Sequence, residues 1–211
     1  MQILKVTNQV ARENTYILEN DSHLLLIDPG SDWPKIEEKL TKSGKPLTAI
    51  LLTHTHYDHI MSLDLVREAF KQPPVYVAEQ EKDWLFTPEY NLSGLARHDD
   101  MEDLILKPAE HTFTIHRPYH LDGFHFEVRP TPGHSAGGVS FVFPDQNCVF
   151  TGDALFKESI GRTDLYTGDL EQLKDGIKSQ LFSLPGSFTV HPGHGQNTSI
   201  GHEKVFNPWF E

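Results

Sequence analysis

A single cysteine, Cys148, in 211 residues excludes an intramolecular disulfide and a thiolate-rich structural zinc site. It lies in the apolar run Cys148-Val149-Phe150, which reads as a small buried hydrophobe, with a reactive thiol as the alternative. No apolar run is long enough to cross a bilayer, so no membrane partner is expected. Met1 to Lys5 leads straight into a strand-like pattern without a basic n-region or a small-residue cleavage site. No secretory signal is therefore expected, and together with the cysteine usage this points to the cytoplasm. Basic residues are scarce, with 18 Lys and Arg against 30 Asp and Glu and a formal charge of -12. Such a surface repels phosphates, which argues against nucleic acid; a small-molecule substrate is the expected partner. The oligomeric state is not legible from the sequence. Low-complexity segments and flexible linkers are also missing, and the length fits one large domain or two small ones.

The chain reads as alternating strands and helices. Asn14–Glu19 and His23–Ile27 are strand-like runs turning at Asn20-Asp21, which suggests a hairpin. Trp33–Ser43 carries Trp33, Ile36 and Leu40 at helical spacing, with Gly44 as its stop. Leu47–Thr53 is a buried strand, Asp58–Phe70 a helix stopped by Pro73-Pro74, and Val75–Ala78 a short strand. In the second half Phe124–Arg129, Gly138–Phe143, Cys148–Thr151 and Phe188–Val190 read as strands, Asp169–Phe182 and Ser199–Phe206 as helices. This implies an α/β protein with two β-layers and helices outside. The acidic stretch 87–110 has little periodicity and reads either as a lid or insertion over a site or as a solvated surface segment.

What is abundant is histidine, with 13 residues. The run His54-Thr55-His56-Tyr57-Asp58-His59 follows a buried strand directly, where α/β sheets place their sites. His54 and His56, two apart in an extended loop, can serve one ion, while Asp58 and His59 turn into a helix and can face a second. His134, Asp153 and His194 each follow a strand beside a glycine that lets the backbone turn sharply. These seven ligands suffice for two divalent ions, and the Asp153 carboxylate can bridge both. Imidazole and carboxylate suit zinc first, with iron or manganese as alternatives. Coincidence in a His-rich chain is the competing explanation for any three of these histidines, and the later strand-end ligands argue against it. The other histidines read as surface or core residues, with His191 the one closest to a ligand in sequence.

The motifs THTHYDH at 53–59, TPGHS at 131–135, TGDALF at 151–156 and HPGHG at 191–195 resemble the metallo-β-lactamase superfamily over nearly the whole chain. The resemblance implies a single domain over 1–211, folded as a four-layer αββα sandwich with the metal site at one edge of the two sheets. It implies that His54, His56 and His134 hold one metal, that Asp58, His59 and His194 hold the other, and that Asp153 bridges. Asp28 resembles the aspartate that braces the metal loop; a plain turn residue is its alternative. Ser159 to Leu165 (SIGRTDL) looks like the short glyoxalase II-like branch, that is, hydroxyacylglutathione hydrolases. Two departures stand out: longer glyoxalase II enzymes continue into a helical domain where this sequence ends at Glu211, and Met61-Ser62 stands where two glycines are usual. Arg162 either faces the carboxylate of a thiol carrier or pairs with Asp164.

The expected activity is thioester hydrolysis by a metal-bridged hydroxide that Asp58 orients. A thiolate leaves readily, because its pKa is only about 8.5. Lactonase, β-lactamase or phosphodiesterase chemistry on the same site is an alternative, as is a mononuclear-iron persulfide dioxygenase.

Overall fold

The computed structural model describes residues 1–95 and 101–210. The chain forms two units, residues 1–113 with 121–124, and residues 114–120 with the chain from His125 on. Each is built around its own mixed sheet.

In the first unit the strands are β1 (Gln2–Thr7), β2 (Asn14–Glu19), β3 (Leu24–Ile27), β4 (Leu47–Leu51), β5 (Val75–Val77) and β6 (His111–Thr112), hydrogen-bonded in that order. The first three are antiparallel and the last four run parallel. β3, β4 and β5 therefore release their C-terminal ends at one edge of the sheet. The β2–β3 hairpin turns where expected, because the Asn20 side chain accepts the N–H groups of Ser22 and His23 at 2.9 and 2.8 Å.

Helix α1 (Trp33–Ser43) has the predicted bounds. Its buried stripe, Ile36 and Leu40, packs on Leu24, Leu26 and Ile50 of the sheet. Gly44 ends it in the left-handed region at φ 68°, where a Cβ would be strained. The single helix expected over Asp58–Phe70 is instead two, α2 (Tyr57–Ile60) and α3 (Leu63–Ala69). The break has a tertiary cause. Ser62 donates its N–H to the Pro29 carbonyl at 3.0 Å and its hydroxyl to the Gly30 carbonyl, drawing the chain to the end of β3. Met61 and Ser62 both keep negative φ, so the backbone needs no glycine there.

The described parts of 87–110 are fastened to this unit. After the short helix α4 (Pro88–Asn91), Asn91 donates to the carbonyls of Trp84 and Leu104, both at 2.9 Å. Leu104, Leu106 and Ala109 pack on the apolar core. The buried Arg67 guanidinium donates to the carbonyls of Lys107 and Pro108 and pairs with Glu110 at 3.1 Å. Residues 96–100 of the stretch read as a lid lie outside the described residues.

The second unit has β7 (Pro118–Leu121), β8 (Phe124–Pro130), β9 (Val139–Phe143), β10 (Cys148–Gly152), β13 (Thr189–Pro192) and β14 (Thr198–Ser199) in the sheet order β14-β13-β10-β9-β8-β7. A small hairpin, β11 (Leu155–Phe156) with β12 (Ser159–Ile160), stands apart from it. β10 and β13 are parallel and end at the same edge. Helix α5 (Leu170–Gly176), capped by Asp169, runs into a wider π-type turn over Ile177–Leu181. Leu173, Ile177 and Leu181 from this pair bury against Val149, Val190 and Ile200, the last on helix α6 (Ile200–Phe206). No helix among the described residues is long and apolar enough to cross a membrane.

Cys148 is buried in β10, and burial pushes its thiol up to about 12. It is a neutral, packed group at physiological pH rather than a nucleophile. An aromatic disulfide reagent at pH 8 should therefore leave the folded protein unmodified over minutes and label one thiol per chain at once in denaturant. Rapid labelling of the folded protein would contradict this assignment.

Candidate metal centre

The first unit carries four of the predicted ligands on one loop. β4 delivers the chain into the sheet edge, His56 is extended at φ -65° and ψ 147°, and Asp58 and His59 lie in the first turn of α2. Three imidazoles crowd together here. The ring centroids of His54 and His56 are 4.7 Å apart, and those of His54 and His59 are 4.2 Å apart. His59 Nε2 lies 3.7 Å from Asp58 Oδ2.

Asp28 organises this loop from the end of β3. Its carboxylate is only 1% exposed and its backbone is left-handed at φ 50°, a conformation Asp tolerates better than most residues. Oδ1 accepts the Thr53 N–H at 2.8 Å. Oδ2 accepts the Thr53 hydroxyl at 2.6 Å and His59 Nδ1 at 3.0 Å. A carboxylate only accepts, so His59 carries its proton on Nδ1. The Thr53 hydroxyl has given its one proton to Asp28 and lies 3.1 Å from His54 Nδ1, so it accepts there. His54 is thus also protonated on Nδ1. In both rings the lone pair, the part that binds a metal, is on Nε2.

The second unit repeats the device. His134 follows β8, and its Nδ1 meets the backbone carbonyl of Arg162 at 2.8 Å. A carbonyl also only accepts, which again places the lone pair on Nε2. That atom lies 3.5 Å from Asp153 Oδ2, and His194 Nε2 lies 3.3 Å from the same oxygen. A lone pair facing a carboxylate oxygen is unfavourable without positive charge between them, and a divalent cation supplies it. The donor set therefore fits a metal. Two glycines make the local backbone possible. Gly133 sits at φ 120° against α5, where a Cβ would overlap the Leu173 N–H. Gly161 passes so close to Asp153 that a Cβ would overlap its carbonyl oxygen.

Arg162 donates twice to Asp164, Nε and Nη2 each at 2.7 Å. The side chain is therefore in the ion pair named above as one of its two readings. His191 stacks on Phe150 with ring centroids 4.8 Å apart. Three buried contributors did not stand out in the sequence. Thr53 relays Asp28 to His54. Glu13 accepts from Asn8 at 2.5 Å and lies 3.9 Å from His59 Nδ1. Glu81 accepts the N–H and hydroxyl of Thr55 at 2.7 and 2.9 Å. Glu81 sits in the charged run Glu79-Gln80-Glu81-Lys82-Asp83, which looks like surface. The usable signal was its place just past β5, the strand parallel to the one that feeds the metal loop.

Loops at strand ends that hold imidazoles with the lone pair left on Nε2, beside carboxylates, define a class: α/β proteins built to take up divalent metal. Comparison with known proteins makes the assignment specific. The chain matches the Metallo-beta-lactamase superfamily over residues 10–194. It is 59% identical over 210 residues to a probable metallo-hydrolase of Streptococcus pyogenes serotype M6, covering 100% of this chain and 90% of that protein. It is 40% identical over 196 residues to the probable metallo-hydrolase YqgX of Bacillus subtilis, covering 93% and 91%. Identity is 31% over 204 residues to the hydroxyacylglutathione hydrolase GloC of Haemophilus influenzae, covering 92% and 90%. Among solved structures, the BLEG-1 B3 metallo-beta-lactamase superposes with a TM-score of 0.93 at 37% identity, covering 99% of both chains. The protein TTHA1623, solved in a di-iron-bound form, gives 0.82 at 35% identity, covering 98% and 99%. The chain belongs to the metallo-beta-lactamase superfamily. Its fold is that of the superfamily, α/β with two mixed sheets, and it is a metallo-hydrolase.

The Asp28 network makes a direct prediction. Asn tolerates the same left-handed backbone, so Asp28→Asn removes the charge and one acceptor while keeping the shape. It should lower the stability of the metal-stripped protein by about 2–4 kcal/mol, as buried donors lose a charged partner. Urea unfolding checks this, and a change below about 0.5 kcal/mol, the size typical of a neutral surface substitution, would show the network to be idle.

Proposed function

We propose that the two ligand sets form one dinuclear centre and that the enzyme hydrolyses thioesters, with hydroxyacylglutathione or a related thiol conjugate as substrate. In this reading His54, His56 and His134 offer three nitrogens to one ion. Asp58, His59 and His194 offer an oxygen and two nitrogens to the other, and Asp153 is shared. The observation that carries it is the Nδ1 hydrogen bonding of His54, His59 and His134, which leaves the lone pair of all three rings on Nε2, the atom this reading gives to the metal. Zinc suits this donor set, and iron is supported by the di-iron form of a structural relative. The thioester assignment is supported by the likeness to a hydroxyacylglutathione hydrolase.

Bound divalent ions supply Lewis acidity, which acidifies a water and polarises the substrate carbonyl. Asp58, on the first turn of α2, takes the proton of the attacking water and orients its lone pair toward the carbonyl carbon. The C–O bond forms, the C–S bond breaks, and the thiolate departs without a proton donor. Arg162 is the residue this reading assigns to the carboxylate of the thiol carrier, with Asp164 holding its guanidinium in one orientation. The single buried cysteine agrees with a cytoplasmic setting. The likeness to a B3 metallo-beta-lactamase favours a second reading, opening of a β-lactam ring.

Zinc-loaded protein should cleave a hydroxyacylglutathione in preference to a lactone, a phosphodiester or a β-lactam. Asp58→Asn should lower kcat by about 10²–10⁴-fold, the usual worth of a positioned base. Cleavage of a β-lactam, lactone or phosphodiester with no thioester turnover would overturn the substrate assignment. Oxygen uptake with a persulfide substrate and one bound iron would overturn the hydrolytic reading.

A further inference from the structure

We infer that Glu81 is a positioning residue that fixes His54 and His56 for metal binding; the inference rests on the two-metal reading above. Glu81 ends the short 3₁₀ turn Glu79–Glu81 after β5, and its side chain has 0% exposure while Glu79 and Lys82 on either side are open to solvent. One oxygen, Oε2, accepts both the N–H and the hydroxyl of Thr55, 26 residues earlier in the chain. Thr55 is the residue between the two histidines. Its N–H belongs to the His54–Thr55 peptide, so holding that N–H sets the plane from which His54 hangs. The hydroxyl contact sets the side-chain rotamer of Thr55 and so the direction in which the chain leaves toward His56.

The same segment touches His56 itself. Trp84, buried three residues after Glu81, stacks on the His56 ring with centroids 6.5 Å apart and planes 20° apart. The residues flanking His54 are thus each given to a buried carboxylate, Thr53 to Asp28 and Thr55 to Glu81. A buried carboxylate is a costly way to cap a loop, and a neutral group would satisfy two donors as well. Negative charge behind the ligands of a dication offsets that cost when the ion is bound, as in carboxylate–histidine–metal arrangements.

The test uses the full chain, stripped of metal and titrated with buffered Co²⁺. Quenching of Trp84 fluorescence reads filling of the ion beside His56, and Trp84→Phe supplies the background from Trp33 and Trp209. Co²⁺ absorbance and elemental analysis count total ions. Wild type should bind two ions. Glu81→Ala should move the Trp84 quenching midpoint about 10–100-fold to higher free Co²⁺, while the second ion binds as in wild type. Glu81→Gln keeps an oxygen for Thr55 but loses the charge, so it should shift the same midpoint in the same direction by less than Glu81→Ala does. Thr55→Val, which removes the hydroxyl donor alone, should shift the same midpoint in the same direction and carries the test if Glu81→Ala does not fold. An unshifted midpoint in the folded variants overturns the inference. So does parallel loss of both ions in Glu81→Ala and Glu81→Gln together with a lowered Tm, which marks a role in folding only. Fewer than two ions in wild type overturns the two-metal reading and the inference with it. A selective shift without thioester turnover upholds the inference and removes only the substrate assignment.

Discussion

The carboxylate of Asp28 joins two pieces of chain: the loop leaving β4 at Thr53 and the first turn of α2 at His59. Its position is unfavourable twice over, buried and in the left-handed region, where the backbone alone costs about 1–2 kcal/mol. Three hydrogen bonds to a charged acceptor, each worth about 1.5–3 kcal/mol, offset this. They also do more than stabilise. By accepting from Thr53 and His59, Asp28 decides which nitrogen of each neighbouring imidazole keeps its proton. The path from β3 to the metal loop is therefore a path of proton placement as well as of packing.

His134 obtains the same result with different means. The backbone carbonyl of Arg162 meets its Nδ1, brought there by a chain that passes close to Asp153 at Gly161. The GRTD stretch thus has a role in its main chain, independent of what the Arg162 side chain binds. That loop is itself anchored from α6. The buried Glu203 accepts the Glu158 N–H at 2.8 Å, and Asn207 donates to the Ser159 carbonyl at 3.1 Å, which fixes the hairpin immediately before Gly161. Helix α6 thus steadies the hairpin that leads to Gly161 and to the Arg162 carbonyl on His134.

Much of this was legible in the sequence, and the reasons are physical. The α1 stripe, the Asn20 hairpin and the strand-end histidines are local patterns, set by neighbours within a few residues. The break between α2 and α3 was not legible, because the helical periodicity continues through Met61-Ser62 and only the carbonyls of Pro29 and Gly30 interrupt it. The two-residue strands β11 and β12 are too short to show alternation. Glu13 and Glu81 were missed because a buried carboxylate and an exposed one look alike in sequence. What distinguishes them is a partner dozens of residues away, or, for Glu13, a turn folded back on itself. The candidate ligands were readable because His54 to His59 crowd together just after an apolar strand, and His134, Asp153 and His194 each follow a strand beside a glycine.

The central claim is that hydrogen bonds at Nδ1 commit His54, His59 and His134 to Nε2 ligation. Long-range ¹H–¹⁵N correlation spectra of ¹⁵N-histidine-labelled protein, with and without zinc, test it most directly. The account predicts that these three rings hold a proton on Nδ1 in both samples and that their Nε2 resonances move on zinc addition. Zinc bound at Nδ1 of any of the three, or Nε2 resonances that do not respond to zinc, would contradict it.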